Sequence, residues 1–226
     1  MSEDAVPRVR AVIFDLDGVI VDSEIWWDQA RQAFAAERGR RWTEDDRRAV
    51  MGANSRQWSV TMRERLAIDD APPSIERAIV DAVVGRYRRE GAPAIDGAGQ
   101  AVRRIAAALP AGLASSAHRE VIDAALDATG LAGVFRVVVS SDEVSKGKPE
   151  PDVYLEAARR LRIPPGACLV VEDSYNGVRA AKAAGMTCVL VPNRTIPPAP
   201  GTAEMADFVI DRLADLDPAR LVPSRA

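Results

Sequence analysis

Segment 11–23 limits most strongly what this chain can fold into. Residues 12–14 form a short apolar run with two β-branched side chains, which is typical of a strand buried on both faces. The run ends at two carboxylates, Asp15 and Asp17, and Gly18 follows them. Because glycine accepts positive φ angles and close approach by other groups, the chain can turn here while both acids stay near the strand end. An ordinary strand-to-loop junction with solvated acids would show the same pattern. The rest of the chain must therefore decide between such a junction and a functional site.

Composition indicates a globular protein and excludes several functions. The chain has 226 residues, 47% hydrophobic and 28% charged, enough for a sizeable core in one soluble domain with or without an insertion. A net charge of −3 gives no general attraction to nucleic acid or to an anionic membrane surface. No apolar run reaches the roughly 18 residues of a membrane helix, and the N-terminus lacks a signal-peptide pattern. We therefore expect no nucleic-acid or membrane partner, a cytoplasmic location, and a monomer or weak homodimer.

Scarce residue types narrow the chemistry further. His118 is the single histidine, so sites that need paired histidines are hard to build. Cys168 and Cys188 lie in apolar runs and are expected to be buried free thiols. Only three lysines occur, and Lys146 and Lys148 share one short loop. A site that needs a compact ammonium group is one reason for lysine to persist there.

The segment after Ser23 changes character and is predicted to be an inserted helical domain. Apolar residues recur at helical spacing in four stretches: 24–37, 44–51, 55–66 and 74–89. Thr43 and Ser74 have the residue types and positions of N-caps. All four tryptophans lie in this segment, and we expect their rings to pack the bundle, although Trp26 or Trp27 can still face a site.

Strands and helices alternate from about residue 96 onward. The pattern predicts helices at 98–108, 120–129, 151–161 and 175–184, and strands at 111–114, 135–139, 168–171, 187–191 and 208–210. Repeated βα units build a parallel sheet with helices on both faces. We therefore predict an α/β fold: a Rossmann-like core formed by residues 1–23 and 93–226, and a four-helix cap formed by residues 24–92.

Polar side chains follow several of these strands, at the edge where parallel sheets bind ligands. They are Asp15, Asp17, Ser115, Ser116, Lys148, Glu172 and Asp173. Each also has a simpler explanation: Ser115 as a turn hydroxyl, Lys148 as a solvated loop lysine, and the two later acids as helix caps. Candidate polar residues follow four different strands at the same edge of the sheet, and this coincidence favours a functional site.

The charges of this group predict a metal. Four carboxylates would lie near one another with Lys148 as the obvious counter-charge, which is unfavourable unless a cation joins them. Oxygen ligands select a hard ion, and a site that combines one or two carboxylates with waters and a substrate phosphate is typical of Mg²⁺. The metal and Lys148 would attract a phosphate, with the Ser115 hydroxyl completing its binding site.

Four segments resemble the motifs of the haloacid dehalogenase superfamily. They are Asp-Leu-Asp-Gly-Val-Ile-Val-Asp-Ser, the serine after Gly-Leu-Ala, Lys-Pro-Glu-Pro-Asp-Val-Tyr, and Val-Val-Glu-Asp-Ser-Tyr-Asn-Gly-Val-Arg. The helical insertion after the first motif is similar to the cap of the β-phosphoglucomutase-like and sugar phosphatase branch. The resemblance covers almost the whole chain.

This resemblance implies a role for each motif residue. Asp15 would attack phosphorus to form an aspartyl-phosphate, and Asp17 would be the general acid and base, with its backbone carbonyl on Mg²⁺. Asp173 would hold the metal together with Asp15, and Glu172 would belong to the metal shell, acting directly or through water.

The remaining roles concern the phosphoryl group and the cap. Ser115, Ser116 and Lys148 would hold the phosphoryl group. Trp27 stands where the mutase branch has a histidine, and the cap has no lysine. Arg56 resembles the cap arginine that contacts the distal end of the substrate.

These residues lead to one main hypothesis and two alternatives. The main hypothesis is a Mg²⁺-dependent phosphatase that hydrolyses small sugar phosphates through an aspartyl-phosphate. The first alternative is a β-phosphoglucomutase-type mutase with the same nucleophile. A non-catalytic, phosphoprotein-like binding module is the second.

Overall fold

A computed structural model describes residues 9–50, 53 and 55–217 and contains a six-stranded parallel sheet. The strands have the spatial order β3-β2-β1-β4-β5-β6. They are β1 (Ala11–Phe14), β2 (Ala111–Ser115), β3 (Val137–Ser140), β4 (Cys168–Glu172), β5 (Thr187–Leu190) and β6 (Phe208–Val209). The predicted α/β fold is confirmed.

The central strand β1 pairs with β2 on one side and β4 on the other. Phe14 is in register with Leu113 of β2 and with Val171 of β4. The carboxyl ends of these three parallel strands therefore lie at one edge of the sheet. All four residues of β1 are buried, as the apolar run 12–14 predicts for a strand covered on both faces.

Nine helices accompany the sheet in the described part of the chain. They are α1 (Glu24–Glu37), α2 (Glu44–Val50), α3 (Ser55–Leu66), α4 (Pro72–Glu90), α5 (Ala98–Ala108), α6 (Arg119–Ala128), α7 (Asp152–Leu161), α8 (Tyr175–Ala183) and α9 (Thr202–Met205). Two apolar clusters form the core. One contains buried residues of α7, α8 and the sheet, and the other joins α5 and α6 to the four-helix segment.

The four helices α1 to α4 follow β1 and precede α5 in the chain, where the sequence predicts a helical insertion. The N-cap predicted at Thr43 is confirmed, because the Asp46 amide donates to Thr43 Oγ1 at 3.3 Å, and the Thr43 amide in turn donates to Asp46 Oδ2 at 2.8 Å. The N-cap predicted at Ser74 is wrong. The helix begins at Pro72, since proline fits the first turn of a helix, where its missing N–H group costs nothing.

Two adjacent backbone segments connect the four helices to the sheet. The Asp22 amide donates to Pro93 O at 2.9 Å, and the Ile95 amide donates to Ile20 O at 3.0 Å. Helix α4 also contacts α6. The division at residues 23 and 93 into core and cap domains lies at these segments and remains a prediction.

Several predicted boundaries differ from the structure by one or two residues. The third strand begins at Val137 rather than at Phe135. The Phe135 ring instead packs edge-on against Phe14, with ring centroids 6.0 Å apart, so tertiary packing explains its apolar character. The helix predicted at 44–51 ends at Val50, and residue 51 lies outside the described residues.

Two other features bear on the sequence predictions. Both Cys168 and Cys188 are buried and free, as expected. In the described residues, no helix has the length and apolar character that a membrane span requires.

Candidate active site

A cavity of about 400 Å³ lies at the carboxyl edge of the sheet, between the sheet and the four helices. It is lined by seven residues predicted from the sequence: Asp15, Asp17, Ser115, Ser116, Lys148, Asp173 and Trp27. Two other predicted residues, Glu172 and Arg56, do not line it. The volume is within the usual range of small-molecule sites.

Lys148 joins two acids from adjacent strands. Its Nζ atom donates to Asp15 Oδ1 at 2.7 Å, to Glu172 Oε1 at 2.6 Å and to the carbonyl oxygen of Ala114 at 3.2 Å. Lys148 is 5% exposed, so it is not the solvated loop lysine of the simpler explanation. An ammonium group has three N–H donors, and all three are engaged here.

Burial and charge act in opposite directions on these groups. Burial raises the pKa of Asp15 to about 6, and the charge of Glu172 adds to this, although Lys148 opposes the shift. Burial alone would lower the pKa of Lys148, but the charges of Asp15 and Glu172 raise it above its ordinary value. Lys148 therefore remains charged throughout the neutral pH range.

The Glu172 carboxylate is surrounded by donors. Its Oε1 atom accepts from Lys148 and from Tyr154 Oη at 2.7 Å, and its Oε2 atom accepts from the Asp173 amide and from the amide and hydroxyl of Ser174. Burial would raise the pKa of Glu172, but Lys148 and these hydrogen bonds hold it below its ordinary value. Gly177 makes room for this carboxylate, because a Cβ atom there would overlap it.

Asp173 lies directly against Gly18. A Cβ atom on Gly18 would overlap the Asp173 carboxylate, and Gly18 has a φ of 81°. Oxygens of Asp15, Glu172 and Asp173 lie within 4.8 Å of one another. Burial raises the pKa of Asp173 well above its ordinary value, and the charges of Glu172 and Asp15 add to the shift.

This arrangement fits a hard divalent cation. Hard oxygen donors converge, and their combined negative charge exceeds what Lys148 balances. The hydrogen bonds around Glu172 leave Asp15 and Asp173 as the freer donors. Asp17 lies outside this group of three acids, and the metal contact of its backbone carbonyl remains a prediction.

Asp17 is held by Ser23. The Ser23 hydroxyl donates to Asp17 Oδ1, and Ser23 itself is fully buried just before α1. Burial raises the pKa of Asp17 to about 7; the Ser23 hydrogen bond opposes the shift, and the charge of Asp15 adds to it. A carboxyl group with this pKa can give and accept a proton near neutral pH.

The two serines after β2 form part of the cavity wall. Ser115 is 1% exposed, and its Oγ atom accepts a hydrogen bond from the Ala117 amide at 3.0 Å. That is the turn role of the simpler explanation, but it leaves the hydroxyl hydrogen available to a ligand. The carbonyl of Ser116 accepts from Ser141 Oγ at 2.8 Å, which fixes the loop.

The two cap residues predicted to bind substrate lie in different places. Trp27 is 6% exposed and lines the cavity, with its ring edge-on to Trp58 at a centroid distance of 6.3 Å. It therefore both packs the bundle and faces the site, and Trp26 packs against Tyr87 instead. Arg56 is exposed at the start of α3 and lies outside the cavity lining, so its role remains a prediction.

Several residues of the site were not predicted, and Tyr154, Ser23 and Arg31 are the most informative of them. Tyr154 and Ser23 lie within the quoted motifs, so membership of a motif was the sequence signal for both. Their residue types alone did not indicate a role. Arg31 lies in α1, lines the cavity and is 5% exposed. Its signal is the spacing Trp27, Arg31 and Phe34, which puts a charged residue on the buried side of an amphipathic helix.

Comparison with known proteins identifies the family. Residues 9–185 match the model of the haloacid dehalogenase-like hydrolases. The chain is 34% identical over 183 residues to a phosphorylated carbohydrates phosphatase of Thermotoga maritima, with 79% of this chain and 82% of that protein covered. It is 31% identical over 221 residues to a bifunctional riboflavin kinase/FMN phosphatase of Arabidopsis thaliana, with 96% of this chain covered. Of that longer protein the chain spans only 56%.

The fold is shared with a solved structure as well. CbbY from Rhodobacter sphaeroides, crystallised in complex with xylulose-(1,5)bisphosphate, is 25% identical and superimposes with a TM-score of 0.79. The match covers 92% of this chain and 96% of the CbbY chain. The chain belongs to the haloacid dehalogenase-like hydrolase family.

Proposed function

We propose that this protein is a Mg²⁺-dependent phosphatase that hydrolyses small phosphorylated sugars through an aspartyl-phosphate on Asp15. The observation that carries the proposal is the placement of Asp15. It lies 2.7 Å from a buried ammonium group and lines the same cavity as a second acid, Asp17, whose pKa is about 7. A nucleophilic carboxylate beside a proton-transferring acid and a cation is the set of groups that two-step phosphoryl transfer requires.

Asp15 and Asp173 would hold the metal ion, with Glu172 behind them. When bound, Mg²⁺ supplies positive charge that neutralises the phosphate and the developing charge of the transition state. Asp15 and Asp173 would otherwise repel an anionic substrate, so their neutralisation is also a condition of binding.

In the first step, a carboxylate oxygen of Asp15 attacks phosphorus while the bond from phosphorus to the sugar oxygen breaks. Protonated Asp17 gives its proton to the departing sugar oxygen, so the sugar leaves as a neutral alcohol. Its pKa of about 7 keeps a large share of Asp17 protonated at neutral pH. The Ser23 hydroxyl holds the carboxyl group in place for this transfer.

In the second step, a water molecule attacks the phosphorus of the aspartyl-phosphate. Asp17, now a carboxylate, takes a proton from this water as the new P–O bond forms. The bond between phosphorus and the Asp15 oxygen breaks, and inorganic phosphate leaves. The enzyme returns to its starting protonation state with Asp17 as the acid.

Lys148 and Ser115 would hold the transferring phosphoryl group. The three donors of Lys148 are already engaged by Asp15, Glu172 and Ala114, so contact with a phosphoryl oxygen requires one exchange. The bond to Asp15 is the natural one to exchange, because Asp15 loses its negative charge at the bonding oxygen when it is phosphorylated. The bonds to Glu172 and Ala114 O would keep the ammonium aimed at the site.

The substrate class rests on the relatives and on the size of the cavity. The Thermotoga relative is a phosphorylated carbohydrates phosphatase, and the CbbY structure holds a sugar bisphosphate. A cavity of about 400 Å³ accommodates a molecule of that size.

Hydrolysis is favoured over the mutase alternative by the cap. A mutase must protect its aspartyl-phosphate from water until a second sugar hydroxyl attacks. Trp27 replaces the histidine that the mutase branch uses, and an indole cannot make the ionic contacts or paired hydrogen bonds of an imidazole. Water should therefore complete the second step.

The test is phosphorus NMR on hexose and pentose phosphates, including glucose 1-phosphate with glucose 1,6-bisphosphate as primer. We expect inorganic phosphate without accumulation of glucose 6-phosphate, loss of turnover in EDTA, and recovery with Mg²⁺. Asp15→Asn should lower kcat/KM by at least about a thousandfold. Asp22→Asn is the matched control, since Asp22 belongs to the same motif but does not line the cavity, and it accepts from Thr195 Oγ1. Near-normal turnover by folded Asp15→Asn, or stoichiometric conversion to glucose 6-phosphate, would contradict the proposal.

A further inference from the structure

Arg31 is an unusual residue for the interior of the four-helix segment. It is 5% exposed and lines the cavity that contains Asp15 and Asp17. Its Nε donor is buried and has no hydrogen-bond partner among the described residues. Burial of an arginine without a partner for its donors is costly, so such an arrangement calls for a compensating contact.

Two tryptophans hold the guanidinium group. The Arg31 Cζ atom lies 5.5 Å from the ring centroid of Trp27 and 5.3 Å from that of Trp58. Both rings line the same cavity. Such contacts stabilise the cation, but the indole faces accept no directed hydrogen bond in the plane of the guanidinium group. The in-plane donors are thus the groups left to bind a ligand.

The nearby acids do not take up these donors. Glu24 and Asp28 favour the charged form of Arg31 by their electrostatic effect, but burial outweighs them and lowers the Arg31 pKa below its ordinary value. The Asp28 carboxylate is engaged elsewhere, because it accepts from Trp42 Nε1 at 3.1 Å and from Gln32 Nε2 at 2.7 Å.

We propose that Arg31, which contacts the rings of both Trp27 and Trp58, binds a second oxyanion of the substrate at the end away from the transferred phosphoryl group. The preferred substrates would therefore be phosphate monoesters that carry another phosphate or a carboxylate. This assignment rests on the proposed function, and it names the residue that would select among its substrates. A neutral sugar hydroxyl can also accept a hydrogen bond from Arg31, but it adds no counter-charge to the partial compensation that Glu24 and Asp28 provide. An oxyanion supplies both the acceptor atoms and the counter-charge.

The assignment differs from the one that the sequence suggested. There the distal contact was expected from Arg56, which is exposed and lies outside the cavity lining. An exposed guanidinium group is screened by water, so its contribution to binding an anion is smaller than that of a buried one. We therefore expect substitution of Arg31 to reduce the preference for a substrate with a second oxyanion more than substitution of Arg56 does.

The experiment measures kcat/KM for two matched substrate pairs. The first pair is fructose 1,6-bisphosphate and fructose 6-phosphate, and the second is 3-phosphoglycerate and glycerol 3-phosphate. The wild type should prefer the member with the second oxyanion in at least one pair, and the pair that shows it identifies phosphate or carboxylate. Arg31→Gln should reduce that preference by about 10- to 100-fold. Arg31→Lys, which keeps the charge without the in-plane fork, should give an intermediate value.

Two control variants separate the subsite from general effects of arginine loss. Arg86→Gln removes another arginine that covers a cap tryptophan, with its Cζ atom 4.6 Å from the Trp26 ring, but outside the cavity lining. It should leave the preference unchanged, and Arg56→Gln should change it less than Arg31→Gln does. Circular dichroism and thermal midpoints of all four variants check that each one folds.

A binding measurement makes failure of this assignment distinguishable from failure of the proposed function. Calorimetry on Asp15→Asn with Mg²⁺ gives the dissociation constants of both members of each pair without turnover. Adding Arg31→Gln to this variant should weaken binding of the member with the second oxyanion and leave binding of the other member unchanged. Wild type that releases no phosphate from any ester would refute the proposed function, and the binding preference would still test Arg31. The assignment is overturned if the wild type has no preference in either pair, or if Arg31→Gln retains it. It is also overturned if Arg86→Gln or Arg56→Gln removes the preference equally.

Discussion

The Asp173 carboxylate lies directly against Gly18, so close that a Cβ atom on Gly18 would overlap it. Gly18 follows β1 and Asp173 follows β4, and these strands are neighbours in the sheet. The first motif thus sets the position of an acid in the last motif, about 150 residues later in the chain. This relationship leads directly to a test of the metal site.

Gly18→Ala should displace Asp173 and raise the Mg²⁺ concentration needed for half-maximal activity by at least about tenfold. The φ of 81° adds backbone strain of about 1 to 2 kcal/mol. Gly133→Ala is the matched control, since Gly133 has a φ of 77° and no atom within 4 Å of the added Cβ. It should show the strain in its thermal midpoint and a normal Mg²⁺ requirement. An unchanged Mg²⁺ titration for Gly18→Ala would show that the site tolerates the displacement of Asp173.

Proton and metal should compete for the acids of this site. Burial raises the pKa of Asp15 to about 6, so this group takes up a proton in mildly acidic solution, and burial also raises the pKa of Asp173 well above its ordinary value. A protonated carboxyl group is a poor ligand, and the apparent Mg²⁺ affinity should therefore fall as pH decreases through about 6. Activity titrations with Mg²⁺ at pH 5 to 8 measure this change. A half-saturation concentration independent of pH would argue against ligation by these acids.

Asp17→Asn should stabilise the metal-free protein at alkaline pH. The folded-state pKa of Asp17 is about 7, above its ordinary value of 3.8, so the folded protein binds more protons than the unfolded chain between these values. Stability falls as pH rises through this range, and the penalty for the buried charge is complete above pH 7. The variant removes the penalty and can still accept from Ser23. In EDTA its thermal midpoint should exceed that of the wild type by several degrees at pH 8, with little difference at pH 4. A lower midpoint at pH 8 would contradict this.

Tyr154→Phe should lower both stability and activity, although Tyr154 does not line the cavity. It removes the hydroxyl that donates to Glu172 Oε1 at 2.7 Å and keeps the buried ring. Glu172 retains Lys148 and the donors near Ser174, so we expect a stability loss of about 1 to 2 kcal/mol and not an unfolded protein. A looser Glu172 should lower kcat/KM by about tenfold through a less well placed Lys148. Urea denaturation and steady-state kinetics measure the two effects, and wild-type values in both would show that the hydroxyl has no role.

Much of the architecture was predictable because it depends on local pattern. The apolar run of β1, the helical spacing of α1 to α4 and the later βα units each occupy a short, continuous stretch of sequence. Parallel strands release their following residues at one edge, so the meeting of Asp15, Ser115 and Glu172 followed from the order of strands and helices. The N-cap predicted at Ser74 is wrong because proline fits the first turn of a helix, so the helix begins at Pro72, two residues before Ser74.

The tertiary structure decided the contacts that depend on residues distant in sequence. Sequence motifs placed Glu172 near the metal, but only the folded chain shows five donors around its carboxylate, including Lys148 and Tyr154. Arg31 is the clearest case, since its spacing with Trp27 and Phe34 indicates only that it lies on the buried side of α1 and does not show which groups surround it. Its environment comes from a contact between side chains of α1 and α3, where the rings of Trp27 and Trp58 meet beside its guanidinium group. Secondary structure reflects spacing along the chain, whereas burial and partner choice depend on which surfaces meet, and that is determined by the packing of the whole protein.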